Sequence, residues 1–176
     1  LPVTTGIGLA DPIEVCPQVP LQDVTTDLTS EQLGVGGSIV VVEALNRAAA
    51  AVRHHVEHAV LRGADLSWTG YAVLTLTCDE RSVETRAAAA AIGISRGTLT
   101  GVVRTLESKN LISRVPHCHD GRLVLLEPTT AGRRLARRLA PRVAEAEEFA
   151  LSCLNGGERD ALTGLLGRVV ADLNFD

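Results

Sequence analysis

Apolar positions recur with helical spacing along most of this chain and change period in one short stretch. From Ser38 to about Arg62, Val41, Leu45, Ala49, Val52, Val56 and Val60 follow at intervals of three and four, one apolar stripe on a long helix. "RGADLS" breaks the stripe. Ser67 is then placed to cap the next helix, "WTGYAVLTLTC", because its hydroxyl can accept from a free N–H of the first turn. The chain turns around Asp79–Ser82, and Thr85 is expected to cap a short Ala-rich helix over 86–91. Gly93 suits a tight turn with positive φ, and Ser95 suits a further N-cap. The following helix, to about Asn110, sets Leu99, Val102, Val103 and Leu106 at the i, i+3, i+4, i+7 positions of a core face.

The period then shifts. "LISRVP" and "RLVLLEP" are short β-like runs flanking "HCHDG", and together they read as a hairpin with Asp120-Gly121 at its turn. Thr129 or Thr130 opens another helix, to about Leu154, with Leu135, Leu139 and Val143 on one side. Pro141 lies inside it and is expected to kink it or start a new segment. After the "NGG" turn, Leu162, Leu165, Leu166, Val169 and Leu173 mark a last amphipathic helix. Residues 1–37 lack sustained periodicity, end in a Gly break and read as an N-terminal arm. There is no internal repeat.

Short helix, Gly turn, second helix and hairpin make a winged helix-turn-helix. The predicted fold is mainly α with a small β-hairpin wing, plus N- and C-terminal dimerisation helices. Its parts are the arm (1–37), a dimerisation helix (38–66), the winged DNA-binding domain (67–128) and C-terminal dimerisation helices (129–176).

Composition refines this. The 176 residues suffice for one domain with a core, or a domain plus an arm. With two Phe, one Tyr and one Trp, the core must be built from Ala, Leu and Val, which favours closely packed helices. The sequence has no Met, so the initiator is missing or non-standard. No leader-like segment and no run of about 20 apolar residues occurs, so the chain reads as soluble and cytoplasmic, without a membrane partner. Cys16, Cys78, Cys118 and Cys153 are scattered without a CxxC pair and are expected to be free thiols.

The net charge of −4 argues weakly against nucleic acid, but its distribution argues for it. Residues 86–138 hold ten Lys or Arg against three acids, a local +7, so the remainder carries −11. A basic middle between acidic flanks is the footprint of a polyanion-binding face. Opposite the apolar face of the second helix stand Gly97, Thr100, Gly101, Arg104 and Ser108. Each interior Gly costs roughly 1 kcal/mol relative to Ala, a cost that makes sense where DNA comes close. Arg104 can make the bidentate contact to guanine, and Thr100 can meet a base or a thymine methyl. Arg96 and Thr98, near the helix start, are placed for phosphates.

The stretch "ETRAAAAAIGISRGTLTGVVRTLESKNLISRVPHCHDGRLVLLEPTTAG" resembles the DNA-binding core of the MarR (multiple antibiotic resistance regulator) family. That family's helix end, wing and following helix start appear as Leu106-Glu107-Ser108-Lys109-Asn110-Leu111, Asp120-Gly121-Arg122 and Pro128-Thr129-Thr130-Ala131-Gly132. Asn110 stands where Gly is usual, and both tolerate left-handed φ. Pro128 replaces a Leu. The resemblance covers about residues 38–174. It implies that Asp120 orients Arg122 through an ion pair and that Arg122 reaches the minor groove or its phosphates. A wing-tip Arg has the charge and reach for this, and His117 and His119 nearby can add phosphate contacts.

The crowded "HCHD" tip also raises metal and redox chemistry. Consecutive residues of a hairpin alternate faces, so Cys118 should point away from His117 and His119, against convergence on a metal. His54 and His58, at i, i+4, project opposite the apolar stripe and read as a solvated face. No metal or other cofactor is expected.

One winged domain makes few base contacts, so a homodimer on palindromic double-stranded DNA is expected. Val41, Leu45, Leu162, Leu166, Val169 and Leu173 are the apolar candidates for its interface. The resemblance also implies a small aromatic or anionic effector held between the dimerisation helices and the winged domain. His55, Trp68 and Tyr71 are candidates to line that pocket, although a surface His and core aromatics fit them equally. The expected function is therefore a ligand-released repressor. The alternatives are a metal- or oxidant-sensing regulator using Cys118 and its His neighbours, and a protein-interaction module that has lost DNA binding. No nucleophile–base pair or phosphate loop suggests an enzyme.

Overall fold

The computed structural model describes residues 38–117 and 123–173. Its elements are α1 (Ser38–Val56), a π-helical turn (Glu57–Leu61) and a 3-10 turn (Arg62–Ala64), α2 (Trp68–Glu80), β1 (Val83–Glu84), α3 (Thr85–Ile92), α4 (Arg96–Ser108), β2 (Ile112–Pro116), β3 (Val124–Pro128), α5 (Thr130–Ala150) and α6 (Gly156–Leu173). The chain divides into two compact units, residues 1–48 and 49–176. In the first unit the described residues are the opening turns of α1. Ile39, Val41, Val42 and Leu45 are exposed there, and Glu43 pairs with Arg47 across one turn at 2.8 Å.

In the second unit the core is aliphatic, as the scarcity of aromatics requires. Val56, Leu61, Val73, Leu74, Val103, Leu106 and Leu126 are all essentially inaccessible to solvent. The predicted helix to Arg62 changes form after Val56. The π turn holds Val60 and Leu61, both of which lie in the core. Asp65 then takes a left-handed conformation (φ 53°), and α2 begins. Its cap is the expected one: Ser67 Oγ accepts from the Gly70 N–H at 3.1 Å. The Glu57 carboxylate also accepts from the Trp68 N–H, tying the π turn to the start of α2.

The sheet holds one strand more than the hairpin predicted. Val83 and Glu84 pair with Leu126 and Leu125, giving a three-stranded antiparallel sheet in the order β1-β3-β2. Two residues are too few to show alternation. This strand also corrects the expected cap of α3. Glu84 is held extended against β3, so the helix starts at Thr85 itself, with no side-chain cap bond. β2 and β3 pair from Ile112↔Pro128 to Pro116↔Val124, as a hairpin should.

Two motifs fasten the wing to its neighbours. Asn110 ends α4 in the left-handed region (φ 54°), and the Leu111 N–H donates back to the Leu106 carbonyl at 2.9 Å. Thr129 caps α5 by accepting from the Gly132 N–H at 3.0 Å, while its own hydroxyl donates to the Asn110 carbonyl at 2.7 Å. Gly132 is required here, because a Cβ would stand 2.0 Å from the Leu111 carbonyl oxygen. α5 then runs unbroken through Pro141, so no new segment starts there. Residue 141 is exposed, and water can take the carbonyl that loses its helical N–H. The "NGG" turn begins with a reciprocal cap: Asn155 Oδ1 accepts from the Glu158 N–H at 3.1 Å, and Glu158 Oε2 from the Asn155 N–H at 2.8 Å.

Candidate nucleic-acid interface

α3, the turn at Gly93 and α4 form the helix-turn-helix. Gly93 ends α3 with φ 71°, and its N–H and that of Ile94 return to the carbonyls of Ala90 and Ala89. Ser95 starts α4 by accepting from the Thr98 N–H at 3.1 Å. Leu99, Val103 and Leu106 are buried and Val102 half-buried, so the predicted core face holds α4 down. Arg96, Gly97, Thr98, Thr100, Gly101, Arg104, Thr105 and Ser108 are exposed on the rest of its surface.

Packing within the protein does not explain the two glycines of that face. A Cβ at Gly101 would have nothing within 4 Å, and one at Gly97 would meet only Ser95 Oγ at 3.8 Å. The hydroxyls beside them are turned inward: Thr100 Oγ1 donates to the Arg96 carbonyl at 2.8 Å and Thr105 Oγ1 to the Gly101 carbonyl at 3.1 Å. The acid on α4, Glu107, pairs with Arg114 of β2 at 3.3 Å, and Lys109 reaches Asp65 Oδ2 at 2.7 Å. Arg96 and Arg104 make no ion pair among the described residues. On α5, Arg133, Arg134, Arg137 and Arg138 are exposed on the side opposite Ala136, Leu139 and Val143. Arg86, Arg96, Arg104 and these four arginines of the basic middle are thus exposed.

At the wing, the His117 N–H donates to the Leu123 carbonyl at 3.0 Å, closing the strands below the tip. Cys118, Asp120 and Arg122 lie outside the described residues, as does the ion pair expected there. Among the described residues, no three or more potential metal ligands gather. His54 and His58 stand with ring centroids 5.8 Å apart, both exposed. Cys78 and Cys153 are free, and burial raises the Cys78 pKa, partly offset by Arg133 and Arg137.

The predicted pocket residues have different surroundings. Tyr71 is buried and Trp68 half-buried against the aliphatic core. Burial, then the nearby Glu147 carboxylate, raises the pKa of the Tyr71 hydroxyl. His55 stacks on Phe149, with ring centroids 5.3 Å apart and planes 21° from parallel. Phe149 was not singled out from the sequence, although it is one of only two Phe and is 58% exposed. A cavity of about 310 Å³ lies elsewhere, between the start of α2 (Asp65, Ser67, Gly70) and α4 (Thr98, Gly101, Val102, Thr105). Of the dimerisation candidates, Val41, Leu45, Leu162, Val169 and Leu173 are exposed and Leu166 is half-buried. None of the described helices is long and apolar enough to cross a membrane.

Comparison with known proteins agrees with this architecture. Residues 66–124 match the MarR family. The chain is 31% identical over 137 residues to the uncharacterized HTH-type transcriptional regulator YwaE of Bacillus subtilis, spanning 78% of this chain and 80% of that protein. Its fold is similar to that of the PcaV transcriptional regulator of Streptomyces coelicolor, solved with its natural ligand (27% identity, TM-score 0.63, 74% of this chain and 89% of that one). It is also similar in fold to Sco3205, a MarR family regulator of the same organism solved with DNA (22% identity, TM-score 0.72, 80% and 94%). The chain belongs to the MarR family of DNA-binding, non-enzymatic transcriptional regulators.

Proposed function

We propose that the protein is a homodimeric, sequence-specific repressor of a palindromic operator, released from DNA by a small aromatic or anionic effector. The observation that carries the DNA-reading part is the outer face of α4, where two glycines with open space at their Cβ positions stand beside an exposed Arg104 that makes no ion pair among the described residues. In this reading Arg104 contacts guanine, Thr100 a neighbouring base, and Arg96 and Thr98 phosphates, while His117 and Arg122 act at the wing with Asp120 orienting Arg122. The exposed apolar rows of α1 (Val41, Leu45) and α6 (Leu162, Val169, Leu173), with half-buried Leu166 among them, support a dimer with a second copy, since such surface is rarely left in water.

The effector part is supported by the stack of half-buried His55 on exposed Phe149 and by the relative PcaV, solved with a ligand. An effector bound near His55, Trp68 and Tyr71 would favour a dimer whose recognition helices are wrongly spaced. A coupling of about 1–3 kcal/mol makes a useful switch. The test is fluorescence anisotropy with the DNA upstream of the protein's own gene, against scrambled DNA of equal length, at two salt concentrations. Tight, selective binding with a steep salt slope is expected. If a pool of random DNA also yields no preferred sequence, the repressor reading fails and the winged fold serves a protein partner.

A further inference from the structure

We infer that Thr100 reads DNA through its methyl group, so that each half-site carries a thymine beside the guanine met by Arg104. The inference rests on α4 being the DNA-contacting helix. A threonine at a protein–DNA contact has two ways to specify a base: its hydroxyl can donate or accept, or its methyl can pack on the thymine C5-methyl. Here the hydroxyl's one proton is already committed, which leaves the methyl and a remaining lone pair, and Thr100→Val removes the lone pair while keeping a methyl. Thr100 Oγ1 donates to the Arg96 carbonyl at 2.8 Å, one turn back along the same helix. Thr105 and Ser108 do the same, toward the Gly101 carbonyl (3.1 Å) and the Thr105 carbonyl (2.8 Å). Besides the Ser95–Thr98 hydroxyl pair at its start (2.8 Å), the donors on the exposed face of α4 are Arg96 and Arg104.

The rest of that face is shaped for apolar contact. Gly97 and Gly101 leave the centre line without side chains, and the space their Cβ atoms would fill is open. Thr100 flanks this line and is exposed. It stands four residues before Arg104, hence on the same side of the helix and about 6 Å away along its axis. On a recognition helix lying in the major groove, residues three to four apart meet neighbouring base pairs. With no side chain on the glycine line, the helix can settle deep enough for a short methyl to touch a base edge. A guanine and a thymine in neighbouring base pairs are the expected combination.

The experiment has two stages. The wild-type protein is first used to enrich its preferred sequence from a pool of random duplex DNA. Each thymine of the enriched half-site is then replaced in turn by deoxyuridine, which removes only the methyl, and binding is measured for wild type, Thr100→Val and Thr100→Ser. Valine keeps a methyl at that place and serine keeps the hydroxyl. Wild type and Thr100→Val should lose about fourfold in affinity at one and the same thymine, the effect of one buried methyl-sized group, whereas Thr100→Ser should not respond there. Loss of the thymine response in Thr100→Val with retention in Thr100→Ser would overturn the inference, as would a half-site with no uracil-sensitive thymine. If the wild type enriches no sequence, the role of α4 in reading DNA falls, and this inference with it. Circular dichroism of both variants, at an exposed site, checks that each is folded.

Discussion

Gly101 and Gly132 make a paired experiment, because the same Gly→Ala change should act with opposite sign at two helical positions. At Gly101 the added Cβ meets nothing within 4 Å. Alanine is favoured over glycine in a helix interior by about 1 kcal/mol, so Gly101→Ala should stabilise the protein. In a chain of this length that gain corresponds to a rise in Tm of about 2–4 °C. At Gly132 the Cβ would stand 2.0 Å from the Leu111 carbonyl oxygen. That oxygen also accepts from the Thr129 N–H at 3.0 Å, so it cannot retreat without breaking the start of α5. Overpacking of this kind costs about 1–3 kcal/mol or more, beyond any helix-propensity gain, so Gly132→Ala should lower Tm. DNA binding should separate the two further. If α4 lies against DNA through its glycine line, the Gly101→Ala methyl occupies contact space and affinity should fall at least about tenfold although the fold is more stable. Thermal unfolding followed by circular dichroism, with anisotropy titration on the enriched sequence, measures both quantities. A Gly101→Ala protein that is destabilised, or that binds DNA as tightly as wild type, refutes the reasoning.

Three further outcomes are expected. Arg104→Ala should cost about 1–3 kcal/mol of discrimination at one base pair, whereas Arg122→Ala should weaken binding to all sequences alike and shrink the salt slope by about one; equal, uniform losses in both would contradict these roles. Tyr71 is the chain's one tyrosine, so its ultraviolet titration is uncontaminated, and its midpoint should lie above the ordinary phenol value of 10.0, because burial and then Glu147 raise it. Since the folded pKa is the higher one, this contribution to stability is full below the unfolded pKa and is lost as pH rises through the folded one; a midpoint at or below 10 denies the burial. Leu162→Glu with Val169→Glu should convert the dimer to monomer in sedimentation velocity and remove tight operator binding, whereas an unchanged sedimentation coefficient would free α6 from the interface.

The sequence determined what local chemistry can determine. Helical spacing located α1, α4, α5 and α6, because an amphipathic helix repeats its core contacts every three to four residues, whereas α2 was placed by its Ser67 cap. Ser67 and Ser95 announced their caps, and Gly93 and Asn110 their left-handed turns, since each satisfies a need of the adjacent backbone; between Thr129 and Thr130 the structure makes Thr129 the cap. The outer face of α4 was legible for the same reason: fixing the buried side of a helix fixes the exposed one. Tertiary structure decided what depends on residues distant in the chain. β1 exists only because β3 lies beside it, and that pairing moved the start of α3 to Thr85. The π turn after Val56 left no mark in the apolar stripe, which runs on through Val60 at helical spacing. The His55–Phe149 stack joins residues almost a hundred positions apart, and Gly132 is obligatory only because the Leu111 carbonyl stands against it. Periodicity records which way a side chain faces; what it faces is set by the packing of the whole chain.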